Sequence, residues 1–337
     1  MEFLYEYGLF TAKALTLVFA LLLAAGGLVS LAHRQKSGKG ELEIKSLSDR
    51  LDDIIDHANQ LLLSKDERKK LQKQQKKQQK ADKQSPSKPN LFVVDFKGSM
   101  DAHEVDCLRE EVTAILCIAK PEDEVLIRLE SGGGVVHGYG LAASQLQRLR
   151  DAKVKCTVSV DKVAASGGYM MACVADKVIA SKFAIIGSIG VIAQLPNFNK
   201  LLKKHDIDWE QHTAGQFKRT LTLFGENNEA GRQKFRDELE QVHQLFKHFV
   251  QEHRGELDID KVATGEYWYG SQALELKLVD EILTSDDFLL KQNKERKIYQ
   301  VKYSIRKNLV EKLGKAASIA IESSIGRLWQ KSQQPGL

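Results

Sequence analysis

Hydrophobic and polar positions divide the chain into segments of different character. Residues 14–32 form a run of nineteen residues without a charge, which is long enough for a helix to cross the ~30 Å hydrocarbon core of a bilayer. Residues 65–88 are almost devoid of apolar side chains. From Leu91 onward, short apolar runs alternate with helical patterns. The pattern predicts an N-terminal membrane anchor over 1–40, an amphipathic helix and a Lys/Gln-rich helical linker over 41–90, a folded domain over 91–300 and a helical tail over 301–337.

The apolar run over 14–32 is interpreted as a retained anchor. A cleaved signal peptide is the alternative, but such peptides begin with a basic region, and the segment MEFLYEYG carries two glutamates and no base. Only Lys13 lies just upstream of the run, whereas Arg34, Lys36 and Lys39 lie downstream. The positive-inside rule then predicts a single-pass protein with the bulk of the chain in the cytoplasm.

The segment that follows the anchor carries apolar residues at heptad spacing. This seam predicts a helix that packs either on a partner or on the chain's own main domain. The basic tract behind it is interpreted as a solvated linker, and contact between its lysines and anionic lipid is the alternative. The seam consists of Ile44, Leu47, Leu51, Ile54, Ala58 and Leu61.

Alternation of apolar strands and helical patterns after residue 90 predicts an α/β fold. Because its strands are apolar on both faces, the sheet is expected to be parallel and buried. The predicted strands are LFVVDF, EVLIRLE, VKCTVSV, KVIAS and FAIIGSIGVI, and the predicted helices cover Asp101–Ala119, Val135–Leu149, a stretch opening at AASGGYMMACVA, and Glu226–Arg254.

Composition narrows the classes of function. Lys+Arg total 50 and Asp+Glu 45, and the basic excess is concentrated in residues 65–88, which carry nine lysines and one arginine. The sequence therefore predicts no nucleic-acid-binding face. The four cysteines form no CxxC pair, so neither a metal site nor a disulfide framework is expected, and buried free thiols are the default.

Three glycine-rich stretches each end a predicted strand: 131–134 (SGGG), 166–168 (SGG) and 187–190 (GSIG). Loops at the carboxyl ends of parallel strands converge on the ligand site. SGGG lacks the Lys-Ser/Thr of a phosphate-binding P-loop, which disfavours a nucleotide. An oxyanion hole built from backbone N–H groups and a plain tight turn remain the two interpretations of this stretch.

Ser166 opens a predicted helix and is followed by two glycines. The position suits a nucleophile, although a serine there is often only a helix cap. None of the nine histidines stands out as its base, and His137 is the one nearest SGGG. Lys218 would on its own be taken for a surface lysine. A lysine acts as a base only in its neutral form, which burial or a nearby positive charge favours.

The stretches SGGG, AASGGYM, GSIGV and TAGQFKR, in that order, resemble the signal peptide peptidase A family of serine proteases, peptidase family S49. The resemblance extends from Asn90 to Ile282. It implies a ClpP/crotonase-like β-α superhelix, a homo-oligomer in which one active site can draw its residues from adjacent protomers, and chemistry without a metal or cofactor. Met170 departs from the aromatic residue commoner at that position. The site residues that the family resemblance implies are Ser166 as nucleophile, Lys218 as general base, Gly133 and Gly167 as oxyanion donors, and Ser188 as the hydroxyl that positions the lysine.

The resulting hypothesis is a serine endopeptidase with a Ser-Lys dyad, anchored in the bacterial inner membrane. Its expected partners are peptide or protein substrates, including membrane or signal-peptide fragments, the lipid bilayer and further copies of the chain. The family's association with periplasmic proteolysis opposes the cytoplasmic placement that the charges predict. A crotonase-like acyl-CoA hydrolase or hydratase and a non-catalytic membrane scaffold are the alternatives.

Overall fold

The computed structural model of the protein describes residues 7–10, 13, 16, 40–71, 73, 88–215 and 217–305. The chain forms two compact units, one of Met1–Glu41 with Ser304–Leu337 and the other of Leu42–Tyr303. Within the described ranges, no helix is both long enough and apolar enough to cross a membrane. The predicted anchor helix over 14–32, apart from Thr16, and all but the first residues of the predicted tail lie outside the described residues.

Ten described strands form two sheets. They are β1 Glu41–Ser46, β2 Asn90–Lys97, β3 Glu124–Glu130, β4 Lys155–Val160, β5 Val163–Ala165, β6 Lys177–Ala180, β7 Ile185–Gly187, β8 Tyr267–Tyr269, β9 Glu281–Ile282 and β10 Lys297–Ser304. The larger sheet has the order β1-β10-β2-β3-β4-β6-β9, and every pair from β10 to β9 is parallel. The smaller sheet has the order β5-β7-β8.

Nine helices with defined bounds accompany the described strands. They are α1 Leu47–Leu62, α2 Val105–Ile118, α3 Val136–Asp151, α4 Gly167–Ala172, α5 Asn199–Lys204, α6 Glu229–His253, α7 Ile259–Val262, α8 Gly270–Glu275 and α9 Ser285–Gln292. The predicted parallel α/β architecture is confirmed, because four of the five predicted strand stretches become β2, β3, β4 and β6 of one parallel-rich sheet.

Strand β2 shows why these stretches are apolar at every position. Phe92 and Val94 belong to the main core cluster with α2 and α3, whereas Leu91 and Val93 belong to a second cluster with Phe288 of α9. Successive side chains of a strand point to opposite faces. Both faces of the sheet are therefore covered, and a continuous apolar run is what such a strand requires.

Helix α1 starts later than the heptad seam predicted. Ile44 lies in β1, and the helix begins at Leu47, where the Ser46 hydroxyl accepts the Asp49 N–H at 3.1 Å. Leu47 and Leu51 pack against the second core cluster. Leu47 and Leu51 of the seam therefore pack on the chain's own domain, whereas Leu61 at the end of the seam is exposed.

The four cysteines are free thiols, but they are not all buried as expected. Cys156 and Cys173 are buried, and burial raises the pKa of Cys173 to about 12. Cys107 is half-buried and Cys117 is exposed, so the prediction was wrong for Cys117. Helix α2 turns this last residue outward near its C-terminus.

Candidate active site

Three loops meet where β3, β5 and β7 end, and we call residues 131–134, 166–168 and 187–190 the strand-end loops. Strand β5 pairs with β7 in parallel, with Ala165 opposite Gly187. Ser131 forms a bridge to Ala164 on the other side of β5. The loops are thus held side by side by the hydrogen bonds of the strands that precede them, as predicted for parallel strands.

Ser166 occupies an unusual backbone conformation between β5 and α4. Its φ is 52° and its ψ is −120°, a region that costs a residue with a side chain about 1–3 kcal/mol. The conformation is held by hydrogen bonds from the Ser166 N–H to the Gly187 carbonyl at 2.7 Å and from the Met170 N–H to the Ser166 carbonyl at 3.0 Å. This sharp turn fixes the position of the serine at the helix start.

The Ser166 hydroxyl does not serve as a helix cap. Its side chain makes no capping hydrogen bond to α4, and within the described parts of the chain it has no hydrogen-bond partner. The residue is half-buried rather than enclosed. The structural role that a serine at this position usually has is therefore absent, and the hydroxyl is available for chemistry.

Gly133 lies directly against the serine. Its φ is +87°, and a Cβ at this position would come within 2.7 Å of the Ser166 Cβ and 2.8 Å of the Gly167 nitrogen. Only glycine fits here, because both the backbone conformation and the space exclude a side chain. The two glycines that the resemblance implies as oxyanion donors therefore lie next to each other and next to Ser166.

The two N–H groups differ in what they bind. The Gly167 N–H, at the first position of α4, has no acceptor among the described residues, as is usual at a helix start. The Gly133 N–H donates to the Ser131 hydroxyl at 3.0 Å. That hydroxyl is itself hydrogen-bonded to Tyr139. The Gly167 N–H is therefore free to bind an incoming oxygen, whereas the Gly133 N–H is already hydrogen-bonded to the buried Ser131.

Ser188 follows β7 and lies beside the nucleophile turn. Its φ is 50°, and its N–H donates to the Glu266 carbonyl at 2.7 Å. Its hydroxyl donates to the Gly265 carbonyl at 3.3 Å. Since the preceding residue accepts the Ser166 N–H, Ser188 belongs to the same cluster of loops, but its hydroxyl binds a carbonyl rather than a lysine.

Lys218 lies in a different environment. It belongs to residues 191–228, which we call the lysine segment, between β7 and α6; none of its described residues is buried in one copy of the chain. The Lys218 side chain is exposed and borders a groove of about 400 Å³ with Leu195, Phe217 and Phe235. No hydrogen bond joins Lys218 to Ser166 or Ser188 among the described residues.

The histidine alternative finds no support in these contacts. His137 is exposed, and His212 pairs with Glu210 at 3.4 Å in the lysine segment. None of the described histidines hydrogen-bonds to Ser166. The described residues also contain no group of three His, Cys, Asp or Glu side chains placed to hold a metal ion.

Two residues at the site were not singled out in the sequence. Tyr139 is fully buried in α3, with its hydroxyl on Ser131 and its ring against Gly167. Ser131 is part of SGGG, but the sequence assigned it no role. The only available signal was the position of Tyr139 eight residues after Ser131, on the apolar face of the helix that follows the loop.

Comparison with known proteins defines the class of this site. The profile described as "Peptidase family S49 N-terminal" matches residues 2–146, and the profile described as "Peptidase family S49" matches residues 148–299. The chain belongs to peptidase family S49, and it is a protease that acts on peptide or protein substrates.

Several relatives carry protease names. The chain is 49% identical to "Probable protease SohB" of Haemophilus influenzae, over 99% of this chain and 98% of the relative. It is 50% identical to "Probable protease SohB" of Buchnera aphidicola subsp. Acyrthosiphon pisum, over 93% of each chain. "Protease 4" of Haemophilus influenzae is more distant, at 28% identity over 58% of this chain and 33% of the relative.

Proposed function

We propose that the protein is a membrane-anchored serine endopeptidase whose nucleophile is Ser166. The observation that carries this proposal is the Ser166 turn, where a strained serine with an unbound hydroxyl lies against Gly133 and directly precedes Gly167. In acyl transfer, the Ser166 Oγ attacks the peptide carbonyl carbon, and the free Gly167 N–H stabilises the negative oxygen together with the Gly133 N–H, which turns toward it from the Ser131 hydroxyl. The residues of the strand-end loops supply these groups without a cofactor.

Lys218 completes the proposed dyad as general base. Its neutral amine takes the proton from the Ser166 hydroxyl as the Oγ–carbon bond forms, and the resulting ammonium gives a proton to the leaving amine as the peptide bond breaks. A water molecule then attacks the acyl ester and gives a proton to the amine of Lys218. As the bond between the carbonyl carbon and Oγ breaks, the ammonium returns that proton to Oγ and the Ser166 hydroxyl is regenerated. In this scheme Ser188 orients the amine of the lysine.

We infer that the lysine reaches the serine when copies of the chain assemble. In one copy Lys218 is exposed and has no bond to the serine. The same segment exposes large apolar side chains, among them Ile192 at 78% and Trp209 at 50%. Clusters of exposed apolar groups are typical of interfaces. A homo-oligomer that covers this segment would bury these apolar side chains, and it would also bring Lys218 to the Ser166 of a neighbouring copy.

The competing functions use the same loops differently. A crotonase-like acyl-CoA hydrolase or hydratase would also bind an oxyanion at Gly133, and a scaffold would need no nucleophile. Membership of a peptidase family and the unbound Ser166 hydroxyl favour peptide hydrolysis. We further assign the parallel-rich sheet to the ClpP/crotonase-like superhelix.

A fluorophosphonate probe tests the nucleophile. The assembled protein is expected to be labelled at Ser166 and to cleave peptides, and Ser166→Ala should lose both properties, with turnover reduced at least ~10³-fold. Ser144→Ala is the matched control, because that exposed hydroxyl binds only the Gly140 carbonyl. Peptide cleavage by a folded, assembled Ser166→Ala protein at more than a few per cent of the wild-type rate would overturn the assignment.

The anchor and its orientation form a separate part of the proposal. We propose that residues 14–32 form a single-pass anchor in the bacterial inner membrane and that the basic residues 65–88 form a linker. The protease domain over 91–300 is then extended by β1 (Glu41–Ser46) and β10 (Lys297–Ser304), which belong to its larger sheet, and a tail follows β10. Alkaline phosphatase fused after residue 90 reports the side of the membrane. The basic residues after the anchor predict an inactive fusion on the cytoplasmic side, and a strongly active fusion would place the protease domain in the periplasm.

A further inference from the structure

A buried chain of hydrogen bonds connects α3 to the loop that carries Gly133. The Tyr139 hydroxyl donates to the Ser99 carbonyl at 2.8 Å, and since a phenol has one proton, Ser131 must donate to Tyr139. The Gly133 N–H then donates to the Ser131 oxygen at 3.0 Å. The direction of every bond is therefore determined, from Gly133 through Ser131 and Tyr139 to Ser99.

The two hydroxyl-bearing residues in the middle of this series of hydrogen bonds are buried, and its two ends, Ser99 and Gly133, are half-buried. Tyr139 is fully buried and Ser131 is 2% exposed. A Cβ at Gly98 would collide with the Tyr139 hydroxyl and would come within 2.8 Å of the Ser131 oxygen. Burial also raises the pKa of the Tyr139 hydroxyl, so the group keeps the proton that it donates. Loss of one member would leave a buried polar neighbour without its partner.

The ring of Tyr139 contacts the second proposed oxyanion donor directly. A Cβ at Gly167 would collide with the Tyr139 ring, which shows that the ring lies against the backbone of the residue after the nucleophile. Ser131 contacts the following residue in the same way, because a Cβ at Gly168 would meet its carbonyl oxygen at 2.6 Å. One tyrosine side chain thus touches both the loop that carries Gly133 and the loop that carries Ser166.

We propose that Tyr139 is a positioning residue for the oxyanion hole, acting on Gly133 through the Ser131 hydroxyl and on Gly167 through its ring. This inference rests on the proposed function of Gly133 and Gly167. The Ser131 hydroxyl, fixed by Tyr139, holds the turn in which Gly133 adopts φ +87° beside Ser166. The Gly167 N–H is free and needs no reorganisation as negative charge develops on the reacting oxygen, whereas the Gly133 N–H must turn from the Ser131 hydroxyl or be shared with it.

Tyr139→Phe separates the two contacts, because it removes the hydroxyl and keeps the ring against Gly167. We expect kcat to fall about 10-fold, less than for outright loss of an oxyanion donor, while KM changes less than about twofold. The rate of fluorophosphonate labelling at Ser166 should fall in parallel, since the phosphoryl oxygen occupies the same hole.

Tyr169→Phe is the matched control. Tyr169 is also fully buried, and its hydroxyl donates to the Leu278 carbonyl at 2.9 Å, so this variant loses the same kind of bond. We expect a similar loss of thermal stability with kcat and labelling rate unchanged. Equal effects of Tyr139→Phe and Tyr169→Phe on kcat would show that the Tyr139 hydroxyl is only structural and would overturn the inference.

Ser131→Ala tests the same chain independently of whether Tyr139→Phe folds. Because the two hydroxyls act in series, Ser131→Ala should lower kcat and the labelling rate to a similar degree, and the double variant should be no slower than Ser131→Ala alone. Unchanged or faster labelling of Ser131→Ala would contradict the inference. Failure of wild-type protein to be labelled at Ser166 would instead contradict the proposed function itself.

Discussion

The strand-end loops and the lysine segment carry the two halves of the proposed dyad, and they are built in opposite ways. The loops follow paired strands, and Ser131, Gly167 and Gly187 are buried. The lysine segment has no buried described residue in one copy. It packs mainly on itself, for example through the rings of Trp209 and Phe224, whose centroids are 5.1 Å apart.

The difference indicates which part of the site a single chain can preorganise. Sheet register fixes the nucleophile turn and the backbone of Gly133 and Gly167 before any partner or substrate arrives, with the Gly167 N–H free and the Gly133 N–H bound to Ser131. The position of Lys218 depends on a segment that lacks core contacts. We infer that the oxyanion hole is a property of the fold, whereas the dyad is a property of the assembly.

Substitution of the base should give the largest effect. A general base must lose a proton, and an arginine side chain cannot do so. Lys218→Arg is therefore expected to be as inactive as Lys218→Ala, with kcat reduced at least ~10³-fold in a peptide cleavage assay. Lys203→Arg, in the same segment and paired with Glu226, should retain activity. Substantial activity in Lys218→Arg would show that the lysine is not the base.

Substitution of two neighbouring glycines in residues 131–134 tests the contribution of the strand-end loops. Gly133→Ala places a Cβ against Ser166 and strains a φ of +87°, so we expect kcat to fall about 10²-fold. Gly132→Ala is the matched control, since a Cβ there meets no atom within 4 Å, and its activity should stay near that of the wild type. Equal activity of the two variants would mean that the contact between Gly133 and Ser166 is not catalytically important.

A smaller effect concerns the stability of the sheet that holds the strand-end loops. Glu111 of α2 is 5% exposed and accepts the Tyr303 N–H at 2.7 Å. Burial, the largest cause, raises the pKa of Glu111 to about 7 although the Tyr303 N–H lowers it. The folded state then binds a proton more tightly than the unfolded state. The stabilisation is present at acid pH and is lost as pH rises from about 4.5 through 7.

Urea unfolding of the full-length protein at several pH values measures this effect. The free energy of unfolding should fall by up to about 3 kcal/mol between pH 4.5 and pH 7.5 through Glu111, and Glu111→Gln should remove that part of the slope. An identical slope in the wild type and in Glu111→Gln would show that this carboxyl does not couple the sheet to pH.

Much of the parallel sheet and of the strand-end loops could be predicted from sequence, because both depend on local sequence patterns. Apolar runs such as LFVVDF became buried parallel strands, and the glycine-rich loops lie where those strands end. Strand β5 was missed, since three residues are too few to give a periodic signal, and FAIIGSIGVI yielded a strand only over Ile185–Gly187. There the chain turns at Ser188 with φ 50°.

What the sequence could not supply depends on contacts between distant residues. The Tyr139 hydroxyl reaches Ser99, forty positions earlier, and no spacing rule indicates such a bond. Lys218 was identified through family resemblance alone, because an exposed lysine in a segment without a core carries no pattern of its own. Ile44 was assigned to a helix because its spacing fits a heptad, whereas it lies in β1.

The most direct test of the central claim is complementation between two inactive variants. Differently tagged Ser166→Ala and Lys218→Ala chains are co-expressed, and assemblies that contain both are purified through the two tags and assayed for peptide cleavage. If the dyad forms between neighbouring copies, an intact Ser166 can meet an intact Lys218, and randomly mixed assemblies should recover about a quarter of the wild-type activity. Mixed assemblies that are as inactive as either parent would contradict a dyad shared between chains.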